Sequence, residues 1–139
     1  MSTTEQTLVL IKPDGVGRGL TGEILRRIEA KGYVVTDLRM VRADRALLSK
    51  HYEEHVGKPF YEPLVNFMES GPVVAIKLEG NRVIEGFRSL AGTTDPTTAA
   101  PGTIRGDLGR DWGLPVQQNL VHGSDSIESA LRELALWFN

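Results

Sequence analysis

The apolar residues of this chain change several times between the spacing of a strand and the spacing of a helix. A continuous apolar run over 7–11 ends before a Pro-Asp-Gly sequence at 13–15 and predicts a buried strand followed by a turn. A second run over 73–78 predicts another buried strand. Apolar positions three and four residues apart predict helices over 21–31 and 83–91.

The segment that begins at Val34 alternates between apolar and polar residues. This alternation predicts a half-buried strand with Val34, Leu38 and Met40 facing the core. Asp37 and Arg39 are then expected to face solvent.

Further helices are predicted in the middle and at the end of the chain. Asp44 can cap a helix that runs to about His55, and a shorter helix is expected over 61–68. The last helix is predicted to start with Asp125 and Glu128 as a capping pair. Its expected apolar stripe consists of Ile127, Ala130, Leu131, Leu134 and Phe138.

Strands and helices therefore follow each other as β-α-β, helices, β-α-β-α. This order predicts one α+β domain over 1–139, an antiparallel sheet covered by helices. The segment 92–118 holds five Gly and three Pro and is expected to be one long irregular loop. Loops of this length in a small domain are usually functional or disordered. A short strand over 119–121 is expected to follow the loop and to lead directly to His122.

Composition excludes several classes of protein. The chain of 139 residues has 40% hydrophobic and 24% charged residues and a net charge of −2, as ordinary globular domains do. The absence of Cys excludes disulfides, zinc sites with Cys ligands and thiol nucleophiles. The sequence shows no signal peptide and no run of about 18 apolar residues, so we expect a cytoplasmic protein. It also shows no excess of basic residues. Neither a membrane nor a nucleic acid is expected as its main partner.

Two motifs are weak indicators of function. The glycine-rich segment 14–19 lacks the Lys that a phosphate-binding P-loop requires after its last Gly. This favours a loop whose backbone conformation requires glycine. His51 and His55 could share a helix face and hold a metal. The zinc-protease motif has Glu directly after the first His, where this chain has Tyr52, so packing or solvent-exposed histidines are favoured.

His122 has a more informative setting. It follows a short strand and precedes a Gly-Ser-Asp turn at a helix N-terminus, where backbone N–H groups favour an anion. A neutral imidazole there could act as a nucleophile, although a purely structural histidine is equally compatible with the residues alone. Lys12, Arg88 and Arg105 lie next to regular elements and could supply the charge that phosphoryl transfer needs, though each alone is typical of a solvated cation.

The residues around His122 resemble the active-site signature of nucleoside diphosphate kinases, a resemblance that extends over nearly the whole chain. The segment 119–125 reads Asn-Leu-Val-His-Gly-Ser-Asp. Blocks at 11–19, 57–60, 70–74 and 101–107 occur in the family's order and approximate spacing. The resemblance implies a ferredoxin-like βαββαβ core and a reversible ping-pong transfer between nucleoside tri- and diphosphates, which maintains nucleotide pools.

The resemblance also implies a role for individual residues. His122 would accept the γ-phosphoryl group on the ring nitrogen nearer the backbone, and Glu133 would hold the other nitrogen. Ser124 and the Tyr52 hydroxyl would lie near the reacting group. The implied nucleotide-binding residues are Lys12, Phe60, Leu64, Arg88, Thr94, Arg105, Val116 and Asn119. Mg²⁺ would arrive with the nucleotide phosphates, because no carboxylate cage for it is visible.

The segment between Asp107 and Asn119 is about four residues longer than the family's corresponding loop. This difference in length affects the assignment of Val116 and leaves Arg110 and Trp112 without an implied role. Trp112 could be an exposed tip, a base contact or, as we favour, a subunit contact. Oligomers are usual in the family, so we expect a hexamer with trimer contacts in the loop of Pro96. Two alternatives are a non-catalytic binding module and a phosphohistidine donor or nucleic-acid binder.

Overall fold

A four-stranded antiparallel sheet in the order β2-β3-β1-β4 forms the centre of the computed structural model, which describes residues 4–139. The strands are β1 (Thr4–Ile11), β2 (Val34–Val41), β3 (Val73–Asn81) and β4 (Val121–Gly123). The helices are α1 (Pro13–Gly17), α2 (Thr21–Lys31), α3 (Arg45–His51), α4 (Tyr61–Glu69), α5 (Val83–Ala91), α6 (Ile104–Leu108) and α7 (Ile127–Trp137). This topology confirms the α+β, ferredoxin-like class expected from the sequence.

The central strand β1 explains why its sequence is an unbroken apolar run. Leu8 and Leu10 point to one face of the sheet and Val9 and Ile11 to the other, and all four are fully buried. Helices cover both faces, so neither side of β1 meets solvent. The face with Val9 packs against α2 and α5, and the face with Leu8 packs against α3, α4 and α7.

The predicted orientation of β2 was wrong. Val34, Leu38 and Met40 are 57%, 47% and 64% exposed, and the more buried apolar positions are Val35 and Val41. β2 is an edge strand, and its pairing register with β3 shifts between Val35 and Asp37. Such a bulge changes which residues face the core, so one alternating phase cannot describe the whole strand.

Two segments expected to be irregular contain short helices. The predicted turn at 13–15 is the start of α1, which has Pro13 at its first position, where a missing N–H costs nothing. The predicted long loop 92–118 is interrupted by α6, where the Thr103 side chain accepts a hydrogen bond from the Gly106 N–H at 2.9 Å. Pro and Thr at these positions are helix-start signals that the glycine content concealed.

The helix ends also differ from the prediction. Asp44 caps α3 as expected, but α3 ends at His51, and a separate 3₁₀ turn covers Glu53–His55. The predicted Asp125–Glu128 cap of α7 was wrong, because the Ser126 side chain accepts from the Ser129 N–H. The predicted stripe of α7 was also partly wrong, since Ile127 and Leu131 are exposed. The buried residues of α7 are Ala130, Glu133, Leu134 and Trp137.

Candidate active site

A cleft of about 290 Å³ opens where β1 ends beside β4. Its walls come from the end of α3 and the following 3₁₀ turn, from α5, from α7 and from the segment that includes α6. Eight residues predicted from the sequence line this one cleft: Lys12, Tyr52, Arg88, Thr94, Arg105, Asn119, His122 and Glu133. The cleft therefore brings together most of the candidate residues.

The position of His122 is fixed by strand pairing. His122 lies opposite Leu10 in the β1–β4 ladder, so the backbone beside it is anchored to the central strand. Gly123 allows α5 to approach closely, because a Cβ there would lie 2.6 Å from the Phe87 ring. The imidazole thus projects from a packed scaffold into the cleft.

A chain of hydrogen bonds holds the His122 ring. Nε2 of His122 lies 2.9 Å from Oε1 of Glu133, and the Ser124 hydroxyl donates to the same oxygen at 2.7 Å. The Leu8 N–H in turn donates to Ser124 Oγ at 3.2 Å. Ser124 is buried behind the cleft and contacts Glu133, so the structure links it to His122 only through that carboxylate.

The ionisation of Glu133 determines the tautomer of His122. Burial alone would raise the pKa of Glu133, but hydrogen bonds from His122 and Ser124, together with His122 charge, bring the pKa below its usual value. An ionised carboxylate can only accept hydrogen bonds, so Nε2 of His122 carries the proton. In the neutral form of the ring, the lone pair is then on Nδ1.

His51 packs directly against the candidate nucleophile. The His51 and His122 ring centroids are 4.8 Å apart at an interplanar angle of 73°, and the Trp137 indole N–H donates to His51 Nδ1 at 3.1 Å. Burial lowers the pKa of His51 to about 3, and the positive charges of His122, Arg132 and Lys12 act in the same direction. His51 is therefore a neutral ring with its proton on Nε2.

Tyr52 is the C-cap of α3, and its ring contacts that of His51 at 4.6 Å. Burial, helped by the negative charge of Glu133, raises the pKa of Tyr52 above its usual value. The phenol consequently stays protonated and can donate a hydrogen bond into the cleft.

Lys12 occupies the end of β1 where the chain turns into α1. Its Nζ donates to Asn119 Oδ1 at 2.8 Å, and the Asn119 amide nitrogen donates to the Thr94 carbonyl at 3.1 Å. Burial and the nearby Arg105 charge lower the pKa of Lys12 to about 8, against an opposing effect of Asp14. Lys12 is thus a poorly hydrated cation held in one position.

The two arginines of the cleft are held differently. Arg105 donates to three backbone carbonyls, those of Asn119, Gly92 and Val121, at 3.1, 2.8 and 2.7 Å. Burial and the charge of Arg88 lower the pKa of Arg105 to about 10, which leaves it protonated near neutral pH. Two of its five N–H donors remain for a ligand. Arg88 is exposed on α5 and faces the same cleft.

Three predicted nucleotide-binding residues lie outside the lining of this cleft. Phe60 is 48% exposed, while Leu64 and Val116 are half-buried. Phe60 is nevertheless adjacent, because its ring lies 5.1 Å from that of His55, which does line the cleft. The structure therefore brings the candidates for phosphate and sugar contacts together, places Phe60 next to the cleft, and leaves Leu64 and Val116 outside its lining.

The match to known proteins covers nearly the whole chain. The family model described as nucleoside diphosphate kinase matches residues 5–139. The chain belongs to the nucleoside diphosphate kinase family. The nucleoside diphosphate kinase of Mycolicibacterium vanbaalenii is 62% identical over 136 residues, covering 97% of each chain. That of Streptomyces avermitilis is 60% identical over 97% of this chain and 96% of its own.

Solved structures of nucleoside diphosphate kinases have the same fold. The halophilic enzyme from Halobacterium salinarum, in complex with CDP, superimposes with a TM-score of 0.90 at 47% identity, covering 97% of this chain and 88% of that one. The enzyme from Borrelia burgdorferi, a transition-state mimic with bound vanadate and ADP, gives a TM-score of 0.92 at 34% identity. That match covers 99% of this chain and 88% of that one. Family membership confirms the enzyme class expected from the sequence, a phosphotransferase.

Other residues that line the cleft were not among the site residues expected from the sequence. The sequence favoured a packing or solvent-exposed role for His51 over a metal ligand, and its ring contacts His122. Arg132 donates to the Lys50 carbonyl at 3.0 Å and approaches Glu133 at 3.8 Å, so it ties α7 to the end of α3. Glu54, His55, Phe87, Ala91, Val121, Gly123, Asp125 and Ser129 complete the lining. The position of His51 one residue before Tyr52 was the available signal.

Proposed function

We propose that this chain, as a single domain over 1–139, transfers the γ-phosphoryl group of a nucleoside triphosphate to a nucleoside diphosphate through a phosphohistidine on His122. The observation that carries the proposal is the His122–Glu133 contact of 2.9 Å within a cleft that also holds Lys12 and Arg105. It leaves an imidazole with one nitrogen anchored and the other available. The cations beside it suit an anionic substrate.

In the first half-reaction, the lone pair of His122 Nδ1 attacks the γ-phosphorus. The new N–P bond forms as the bond from that phosphorus to the β-γ bridging oxygen breaks, and the nucleoside diphosphate leaves with the electron pair. The Nε2 proton stays between His122 and Glu133. The carboxylate stabilises the positive charge that develops on the ring as it is phosphorylated.

In the second half-reaction, a terminal β-phosphate oxygen of another nucleoside diphosphate attacks the phosphorus. The N–P bond breaks, its electron pair returns to Nδ1, and neutral His122 is restored. One site thus serves both substrates in turn, and the reaction is reversible because the bonds formed and broken are alike in the two directions. Tyr52 would donate its hydroxyl hydrogen near the transferred group.

The cations of the cleft would position the phosphates and offset their charge. Arg88, Arg105 and Thr94 would contact phosphate oxygens, and Lys12 and Asn119 would contact the sugar hydroxyls, with Lys12 also reaching the transferred group. His51, His122 and Glu133 offer ligand atoms within 4.8 Å of one another, but this nitrogen-rich set does not suit Mg²⁺. We therefore treat Mg²⁺ as part of the substrate, bound to its phosphates.

The proposed base-binding surface consists of Phe60, Leu64 and Val116. The exposed Phe60 ring would stack on the base, and the other two side chains would complete an apolar clamp. Stacking tolerates any base because each has an aromatic face. The CDP and ADP bound to the relatives from Halobacterium and Borrelia support a site that accepts both pyrimidine and purine nucleotides.

We also propose a homo-hexamer with the loop of Pro96 at its trimer contacts. Pro96 itself is buried, and the two threonines that follow it, Thr97 and Thr98, are exposed. A molecular mass from small-angle scattering near that of four subunits would contradict the hexamer.

Within residues 4–139, the structure has no helix with the length and apolar character of a membrane span. The proposed location is the cytoplasm, where cell fractionation should recover the protein.

The direct test incubates purified protein with [γ-³²P]ATP and Mg²⁺ in the absence of an acceptor. Wild type should acquire an acid-labile label that added GDP or CDP removes, and His122→Ala should acquire none. His55→Ala is the matched control, because it changes another histidine of the cleft without removing the proposed nucleophile. A folded wild type that binds nucleotide but acquires no label would contradict the proposal and favour a binding module.

A further inference from the structure

The three residues before His122 form a strained turn. Leu120 has a φ of +73°, and the Val121 N–H donates to the Asn119 carbonyl at 2.8 Å. A hydrogen bond over two residues around such a φ defines the rare, strained kind of γ-turn. Leu120 is fully buried, so water cannot satisfy its backbone groups.

Partners from the start of α1 satisfy the backbone of this turn. The Leu120 N–H donates to Asp14 Oδ2 at 3.1 Å, and the Leu120 carbonyl accepts from the Lys12 N–H at 2.8 Å. The backbone of α1 rests directly on the turn, since a Cβ at Gly15 would lie 3.2 Å from the Leu120 carbonyl oxygen. Asp14 is therefore the side chain that binds the amide of the strained residue.

Asp14 occupies an unfavourable place for a carboxylate. Its Oδ1 is buried without a hydrogen-bond partner among the described residues. Burial raises the pKa of Asp14, although the N–H groups of Leu120, Gly15 and Asp14 itself and the charge of Lys12 oppose this. A buried carboxylate oxygen without a partner requires a specific explanation, because its burial costs free energy.

A second carboxylate in the chain makes the same kind of bond under different conditions. Asp111 accepts from the Gly113 N–H at 2.8 Å, and Gly113 has a φ of +72°. Asp111 and Gly113 are exposed, and glycine adopts this φ without strain. Water could replace the Asp111 carboxylate there, whereas the Leu120 N–H is in a fully buried residue and has Asp14 as its acceptor.

We propose that Asp14 is a positioning residue for His122, whose carboxylate holds the Leu120 turn in the conformation from which β4 delivers the imidazole to the cleft. The inference rests on the proposed role of His122 as phosphoryl acceptor. Loss of the carboxylate would orphan the buried Leu120 N–H at a cost similar to the strain of the turn. The turn would then relax and displace His122, which directly follows the turn in the chain.

The test compares Asp14→Ala with Asp14→Asn by rapid-quench measurement of phosphohistidine formation at saturating ATP·Mg²⁺. Asp14→Ala should slow this step by about 10-fold or more, since small displacements of a reacting group have effects of that size. The KM for ATP should stay within about 3-fold, because the phosphate-binding side chains remain. Asp14→Asn keeps an acceptor oxygen for Leu120 and should restore the rate to within about 3-fold of wild type.

Asp111→Ala is the matched control and should form phosphohistidine at the wild-type rate. The proposal is overturned by an Asp14→Ala enzyme as fast as wild type, or by equal slowing in the alanine and asparagine variants. An effect confined to KM would also overturn it, since a positioning role acts on the chemical step.

Amide hydrogen exchange tests the same bond without the alanine variant, should that variant not fold. In wild type and Asp14→Asn, the Leu120 amide should exchange as slowly as that of Leu10 in the central strand. Exchange at the rate of the exposed Gly113 amide would contradict the proposal. A wild type that forms no phosphohistidine would refute the proposed function, and the Leu120 amide would still report on the Asp14 bond.

Discussion

The cleft around His122 and the surface that carries Phe60 are built in opposite ways. Glu133 is 5% exposed and accepts hydrogen bonds from His122 and Ser124, whereas Phe60 is 48% exposed and its ring lies beside His55 and Lys58. Arg105 shows the same contrast, because three backbone carbonyls fix its guanidinium. One region is set before a ligand arrives, and the other is open.

This difference separates two tasks of the proposed enzyme. Transfer of a phosphoryl group depends on fixed charges and fixed distances, which a buried hydrogen-bonded network supplies. Acceptance of different bases depends on a surface without specific hydrogen bonds. Substitutions in the cleft should therefore lower the rate, and those on the proposed base-binding surface should lower affinity.

Among substitutions that leave His122 in place, the largest effect is expected for Glu133→Gln. Glutamine preserves the size of the side chain but removes the charge that stabilises the phosphorylated imidazole. Phosphohistidine formation at saturating ATP should fall by about 10²–10³-fold, the range for loss of one preorganised electrostatic group. Glu128→Gln, on the exposed face of α7, is the control and should stay near the wild-type rate. Equal rates for Glu133→Gln and wild type would contradict the claim that the buried charge of Glu133 determines the rate of transfer.

Arg105→Lys should combine a loss of activity with a loss of stability. Lysine cannot reproduce the forked contacts to three carbonyls, so the free energy of unfolding should fall by about 2 kcal/mol, as for buried acceptors left unpaired. Chemical denaturation measures this loss. Arg88→Lys is the matched change at an exposed arginine and should reduce turnover while leaving the denaturation midpoint unchanged. Equal destabilisation by Arg105→Lys and Arg88→Lys would show that the three carbonyl contacts do not fix the Arg105 guanidinium.

His51→Gln should alter the acid sensitivity of the fold. The pKa of His51 is about 3 in the native state and 6.5 in the unfolded reference, so only the unfolded chain binds this proton between those values. Stability from the neutral buried ring is therefore complete above pH 6.5 and is lost as the pH falls. Relative to His51→Gln, wild type should lose unfolding free energy from pH 6.5 downward. Parallel stability curves would contradict burial of a neutral His51.

The smallest effect on rate is expected for Phe60→Ala. Loss of stacking should weaken ATP binding by about 10-fold, while phosphohistidine formation at saturating ATP stays within about 2-fold of wild type. Val56→Ala changes another exposed apolar side chain nearby and is the control for binding. Titration and rapid quench provide the two numbers. A large loss of rate in Phe60→Ala would contradict the assignment of rate to the cleft and of affinity to the proposed base-binding surface.

The sequence predicted the fold best where burial is complete. The apolar runs of β1 and β3 are buried on both faces, so their pattern has one interpretation. β2 was misassigned because alternation marks two faces without telling which one meets the core, and its bulge changes the phase midway. The glycines in and around α1 and α6 concealed the helix-start signals of Pro13 and Thr103. Local sequence alone did not distinguish these short helices from loops.

The site followed a similar division. His122 was conspicuous from the sequence because it follows a predicted strand and precedes a Gly-Ser-Asp turn, although the structure places it within β4. The family motifs supplied its other proposed neighbours. Glu133 would have been taken for a solvent-facing charge without the resemblance, since it lies at the margin of a helix stripe. His51 was missed because its contact with His122 joins distant parts of the chain, which no local pattern records.

The position of the phosphoryl group on the His122 ring tests the central claim most directly. Phosphorylated wild-type protein, formed with ATP·Mg²⁺ and kept at alkaline pH, can be digested and its phosphohistidine isomer identified by ³¹P NMR against both standards. Since Glu133 anchors Nε2, we expect Nδ1-phosphohistidine at His122 alone. Phosphorylation at Nε2, or at another residue, would contradict the account.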